Sequence, residues 1–113
     1  MNWVAIGAAI LIAATGTVHS VLGERRMIQP LLASGASAPK PAVGRAIRFT
    51  WHLCTLLMLL TALTVAWPGT PVPVVRTIGA AYLLLGFLAL AMTRGRHVSG
   101  PMFTASGLLA LLC

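Results

Sequence analysis

Three histidines and one acid are the side chains of this sequence best suited to chemistry. His19, His52 and His97 stand in three different apolar stretches, and Glu24 is the only acidic residue among the 113. A neutral imidazole binds metals and exchanges protons near neutral pH. Three imidazoles with one carboxylate suit Zn²⁺, or Fe²⁺ and Mn²⁺ where coordination positions stay open. The sequence therefore predicts a metal site made of His19, Glu24, His52 and His97.

Four apolar stretches are the elements that must position these side chains. A bilayer core of about 30 Å needs roughly 20 apolar residues per helix, and such stretches occur at about 3–24, 46–67, 74–92 and 96–113. Only 8% of the residues are charged and 58% are hydrophobic, whereas soluble domains carry about 25% charged residues. We therefore expect an all-α fold, in which residues 1–113 form one antiparallel bundle of four transmembrane helices.

The basic residues predict how this bundle is oriented. Seven of the eight basic residues lie near the junction of the first and second stretches or of the third and fourth: Arg25, Arg26, Lys40, Arg45, Arg48, Arg94 and Arg96. Because cytoplasmic loops carry the excess of Lys and Arg, we expect a bacterial inner-membrane protein with a cytoplasmic linker at about 29–44. Both termini would then be periplasmic. Basic residues placed between apolar stretches also argue against a nucleic-acid partner.

Depth estimates place the three histidines in one layer. At about 1.5 Å per residue, His19, His52 and His97 lie about 9 Å, about 6 Å and roughly 4 to 5 Å inside the cytoplasmic interface. Glu24 lies at the edge of this layer, at the negative end of the first helix, where a carboxylate needs a nearby cation. Glu24 is thus a metal ligand, a salt-bridge partner of Arg48 or another arginine, or the orienting partner of an imidazole from another helix.

Residues around the site extend the prediction. Glu24 is the candidate catalytic base if a metal-bound water reacts. Arg48 and Arg96 would bind an anion such as a lipid headgroup, and Arg48 shares a helical face with His52. Ser20 would support a ligating side chain. It also belongs to a seam of small residues that favours close helix packing in lipid: Ala5, Ala9, Ala13, Gly16, Ser20 and Gly23.

Three short motifs resemble those of small bacterial inner-membrane proteins that have four helices and no characterised function. The motifs are H-S-x-x-G-E at 19–24, R-x-x-W-H at 48–52 and R-G-R-H at 94–97. The resemblance covers nearly the whole chain. It implies a four-helix inner-membrane fold and no particular activity, so the function has to come from the residues themselves.

Three other functions compete with the metal site. Glu24 could serve a small proton-coupled transporter, although it lies at the membrane boundary and not at mid-depth. His19 and His52 could be the axial ligands of a b-type haem. A structural subunit without chemistry would use the polar layer to contact a partner, and a homodimer is compatible with such a small bundle. A single carboxylate excludes mechanisms that need a carboxylate pair from one chain.

Overall fold

The computed structural model describes residues 2–113, and all the regular structure within them is helical. Met1, the first residue of the predicted 1–113 domain, lies outside the described residues. The predicted all-α fold is confirmed, with no strand in residues 2–113. The helices are α1 (Trp3–Gly23), α2 (Gln29–Leu32), α3 (Pro41–Ala66), α4 (Val72–Thr93) and α5 (Ser99–Leu111).

Local chemistry explains where the long helices begin and end. The Asn2 side chain accepts hydrogen bonds from the backbone N–H groups of Val4 at 3.1 Å and Ala5 at 3.2 Å, so it caps the free donors at the start of α1. α3 ends at Ala66 because Trp67, which precedes Pro68, adopts extended backbone, as residues before proline prefer.

The connection between α1 and α3 is shorter than the predicted linker at 29–44. A π-helical turn, Glu24–Ile28, joins α1 to α2, so Trp3–Leu32 is one continuous helical segment of 30 residues. Only residues 33–40 lie between α2 and α3, and they contain a 3₁₀ turn, Gly35–Ser37. Pro41 already begins α3, and proline is well suited to the first helical position. The charged residues after Gly23 therefore continue the helix instead of ending it.

α5 is shorter than the predicted span at 96–113. α4 ends at Arg94, whose φ is 51°, and Gly95 follows with a φ of 73°. The Gly95 N–H donates to the Leu90 carbonyl at 2.9 Å, which turns the chain so that α5 begins only at Ser99. Its 13 residues rise about 20 Å. Within residues 2–113, three helical segments are long and apolar enough to cross a membrane: Trp3–Leu32, Pro41–Ala66 and Val72–Thr93.

The helices lie side by side in the order α3, α1, α5, α4. α1 packs against α3 and α5, and α4 packs against α5, whereas the consecutive helices α3 and α4 touch only sparsely. The extents of 53 × 29 × 17 Å fit a curved row of helices, each about 10 Å across. The contacts of Gly16 and Gly23 with α3, and of Gly79 and Gly86 with α5, show that α1 runs antiparallel to α3 and α4 antiparallel to α5. Closure of the four helices into a bundle is not confirmed.

Small residues allow the helices in this row to approach closely. A Cβ atom at Gly107 of α5 would press against the α4 backbone at Leu83, and one at Gly86 of α4 would overlap Thr104 of α5. Such contacts are typical of helices that pack in lipid. The Tyr82 hydroxyl joins α4 to α3 through a 2.8 Å hydrogen bond with Thr61 Oγ1. These contacts fix the positions of the helix ends that carry the polar residues.

Candidate functional site

The predicted site residues lie at one end of the helix row, in two separate recesses. His19 and His97 line a cavity between α1 and α5. Ser20, Glu24 and His52 line an open groove between α1 and α3. Within residues 2–113, no three His, Cys, Asp or Glu side chains come together as a group that could hold a metal ion. The four-ligand metal site therefore stays a prediction.

Trp51 holds His19 in place. Its indole stacks on the His19 imidazole with ring centroids 4.3 Å apart and planes 5° from parallel. The indole N–H also donates to the His19 carbonyl at 2.9 Å. Gly23 is required for this packing, because a Cβ there would overlap the indole. Nothing in the sequence spacing shows that Trp51 of α3 meets His19 and Gly23 of α1, so the sequence alone does not reveal this role.

The cavity beside this pair combines apolar walls with two arginines. Its volume is about 610 Å³, within the range of about 300–1,000 Å³ that is typical of small-molecule sites. Arg26 reaches it from the π-helical turn, and Arg96 from the turn before α5. Neither forms an ion pair within residues 2–113, where the observed pairs join Arg48 and His52 to Glu24. The apolar walls include Val18, Leu22, Met27, Met102 and Phe103.

The hydrogen bonds of His97 determine what its imidazole offers to this cavity. Its Nδ1 accepts the backbone N–H of Ser99 at 3.1 Å and also contacts the Ser99 hydroxyl at 2.7 Å. A ring nitrogen that accepts an N–H carries no proton, so the neutral imidazole has its proton on Nε2. His97 therefore presents a hydrogen-bond donor. By contrast, the Nε2 of His19 is buried and has no hydrogen-bond partner.

The groove on the other side of α1 contains a chain of hydrogen bonds centred on Glu24. Arg48 binds this carboxylate through Nη2 at 2.8 Å and Nε at 3.3 Å. His52 Nε2 lies 3.0 Å from Oε2 of Glu24, and His52 Nδ1 lies 2.6 Å from the Ser20 hydroxyl. Glu24 thus contacts both the arginine and the imidazole of another helix, two of the roles predicted for it. Arg48 and Arg96 were both predicted to bind an anion. Because Arg48 already binds the Glu24 carboxylate, this role fits Arg96 better.

Comparison of the chain with protein-family models, with curated proteins and with solved structures found no match. The chemistry of the two recesses is therefore the basis on which a function can be proposed.

Proposed function

We propose that the protein is integral to a bacterial inner membrane, with α1, α3 and α4 as spanning helices and α5 packed among them. Large apolar side chains face outward, among them Leu56 at 52% exposure, Leu84 at 59% and Phe87 at 56%. Contact of such surface with water costs about 25 cal/mol per Å², a cost that lipid removes. The accessible surface of 7187 Å² also exceeds the roughly 5,900 Å² of a soluble monomer of this mass.

The charge distribution supports an orientation with both termini periplasmic. Seven basic residues lie in or beside the α1–α3 and α4–α5 connections, and Arg76 lies in the first turns of α4 at the opposite end. Cysteine labelling in a background without Cys54 and Cys113 tests this orientation. An impermeant maleimide should modify Thr70→Cys from the periplasm, and Ser34→Cys only after the inner membrane is permeabilised. The reverse pattern would contradict the proposal.

We further propose that the cavity binds an amphiphile with an anionic headgroup and an apolar tail. The observation that carries this proposal is the pair of unpaired arginines at an apolar cavity. Arg26 and Arg96 would bind the headgroup through charge-assisted hydrogen bonds, and the Nε2–H of His97 would add a third donor. The apolar walls would enclose the tail, in the usual pattern of a mostly apolar site with a few polar groups that converge on the ligand.

Calorimetric titration of the protein in maltoside micelles tests this binding function. Dodecyl phosphate and laurate should bind at least tenfold more tightly than the zwitterionic dodecylphosphocholine, and the two anions distinguish a phosphate headgroup from a carboxylate. Arg96→Gln should weaken dodecyl phosphate binding about tenfold, because a hydrogen bond to a charged group contributes about 1.5 kcal/mol. The matched control Arg76→Gln should leave the affinity unchanged. Equal binding of all three amphiphiles would refute the proposal.

The predicted metal site is a second candidate, favoured by the buried and unpartnered Nε2 of His19, a residue that lines the same cavity as His97. Zn²⁺ or Fe²⁺ would take the His19 imidazole first. The other predicted ligands are already hydrogen-bonded: His52 to Ser20, Glu24 to Arg48 and His97 to Ser99. Elemental analysis should then find stoichiometric metal in the wild type and none in His19→Ala. A metal-free wild type without a metal-induced thermal shift would refute this candidate, and a Soret band would identify the haem alternative.

A further inference from the structure

The groove between α1 and α3 contains a serine, a histidine and an acid in one hydrogen-bonded chain that amphiphile binding does not use. Ser20 of α1 and Glu24, the first residue of the π-helical turn, stand one turn apart on the same continuous helical segment. Both therefore point to the same side, and His52 reaches them from α3. Ser20 is half-buried, and it opens into a groove of about 290 Å³ that Arg25 and Gln29 also line. Gln29 reaches this side because the π-helical turn shifts the register after Glu24.

Glu24 fixes which nitrogen of His52 carries the proton. An ionised carboxylate can only accept hydrogen bonds, so the 3.0 Å contact with Glu24 places a proton on Nε2 of His52. In the neutral imidazole Nδ1 is then unprotonated, and the Ser20 hydroxyl donates to it across 2.6 Å. Arg48 holds the carboxylate from the other side at 2.8 Å. A hydroxyl that donates to an imidazole oriented by an acid is the arrangement that activates a serine nucleophile.

We propose that Ser20 is a nucleophile that accepts the acyl group of a carboxylic ester. The Ser20 oxygen attacks the ester carbonyl while its proton passes to Nδ1 of His52, and Glu24 stabilises the resulting imidazolium. His52 returns this proton to the leaving alkoxide, which departs as the alcohol and leaves an ester on Ser20. Water then attacks that ester with His52 again as the base, which releases the carboxylic acid and restores the serine. Glu24 is a positioning residue because it acts through His52.

Two features distinguish this site from familiar serine hydrolases. In those enzymes Nε2 faces the serine and Nδ1 faces the acid, whereas here the two nitrogens have exchanged partners, and either can serve as base. Ser20 also lies inside α1, where backbone N–H groups are already bonded along the helix. Arg25 and Gln29 are therefore the donors available to the oxyanion. Without backbone donors the oxyanion is stabilised less well, and one oxyanion donor contributes about 10² to 10³ in kcat. We therefore expect only reactive esters to acylate Ser20 quickly, and the acyl-serine to be hydrolysed slowly.

Labelling with a small fluorophosphonate tests the proposal, since this probe reacts with activated serines and needs no binding cavity. Mass spectrometry of the labelled wild-type protein in micelles should locate the adduct on Ser20. Ser20→Ala should abolish labelling, and His52→Gln should slow it at least a hundredfold, as expected for loss of a general base. The matched control Ser34→Ala, which removes an exposed serine hydrogen-bonded only to the Leu31 carbonyl, should leave the rate unchanged.

The role of Glu24 needs a readout that a merely structural residue would not change. Glu24→Gln should slow labelling at least tenfold while the helical circular dichroism stays at the wild-type level, and Glu24→Asp should restore part of the rate. p-Nitrophenyl butyrate should give a burst of one nitrophenolate per Ser20, followed by slow release. A wild-type protein in which Ser20 is labelled no faster than Ser34, or in which Glu24→Gln reacts at the wild-type rate, would overturn the proposal.

Discussion

Gly23 is the position at which one added methyl group should do the most damage to the candidate site. A Cβ there would overlap the Trp51 indole, so Gly23→Ala should force the ring away from α1. The lost contacts are the indole bond to the His19 carbonyl at 2.9 Å and the stack at 4.3 Å. An interhelical hydrogen bond in lipid contributes about 0.6 kcal/mol, and an aromatic pair about 0.5–1.5 kcal/mol. We expect these lost contacts to cost roughly 1–2 kcal/mol, of which the helix preference of alanine over glycine offsets about 0.5–1 kcal/mol.

Gly7→Ala is the matched control for this substitution. A Cβ at Gly7 meets nothing within 4 Å, so the added methyl should only favour the helix, by about 0.5–1 kcal/mol. Unfolding of both variants in mixed micelles, followed by circular dichroism, should place Gly23→Ala below the wild type and Gly7→Ala at or above it. Equal stability of the two variants would refute the inference that Trp51 packs into the space that Gly23 provides.

Three further substitutions test contacts outside this pair. Tyr82→Phe removes the hydroxyl bonded to Thr61 and should lower the free energy of unfolding by about 0.6 kcal/mol; a double-mutant cycle with Thr61→Val should then show coupling. Gly107→Ala presses against the α4 backbone and should cost about 1–3 kcal/mol by overpacking, measured in the same unfolding assay. Arg48→Gln should leave the free energy of unfolding nearly unchanged, because the side chains of Arg48 and Glu24 are 45% and 22% exposed and pairs open to solvent contribute little.

Much of the fold could be predicted because the apolar stretches are long and the helix-ending residues are local. Pro68 and the Arg94–Gly95 pair end helices through backbone conformations that depend on one or two residues. The order of the helices in the row could not be predicted. Small residues occur on α1, α4 and α5 alike, and their spacing in the sequence does not indicate which of these helices pack against each other. α5 also begins later than the predicted span at 96–113, because the chain turns at 94–98 before the helix starts.

The candidate site could be predicted in part. Face and depth arguments brought Glu24 together with Arg48 and His52, because helical spacing and charge act over one or two turns. They could not separate His19 from His52, since that division depends on Trp51, which comes from a second helix and occupies the space beside Gly23. The sequence indicates Arg26 only as an orientation signal, because nothing in its spacing shows that it lines a cavity together with Arg96.

Quenching of Trp51 fluorescence tests the central claim, an anion-binding cavity at the cytoplasmic end, most directly. Trp51 lines the cavity, and Trp3→Phe with Trp67→Phe removes the other two indoles, which lie at the opposite end of their helices. A bromine-labelled fatty acid should quench the remaining fluorescence with a saturable dose dependence, and Arg26→Gln combined with Arg96→Gln should leave only weak, linear quenching. Linear quenching of the same strength in both proteins would contradict the account.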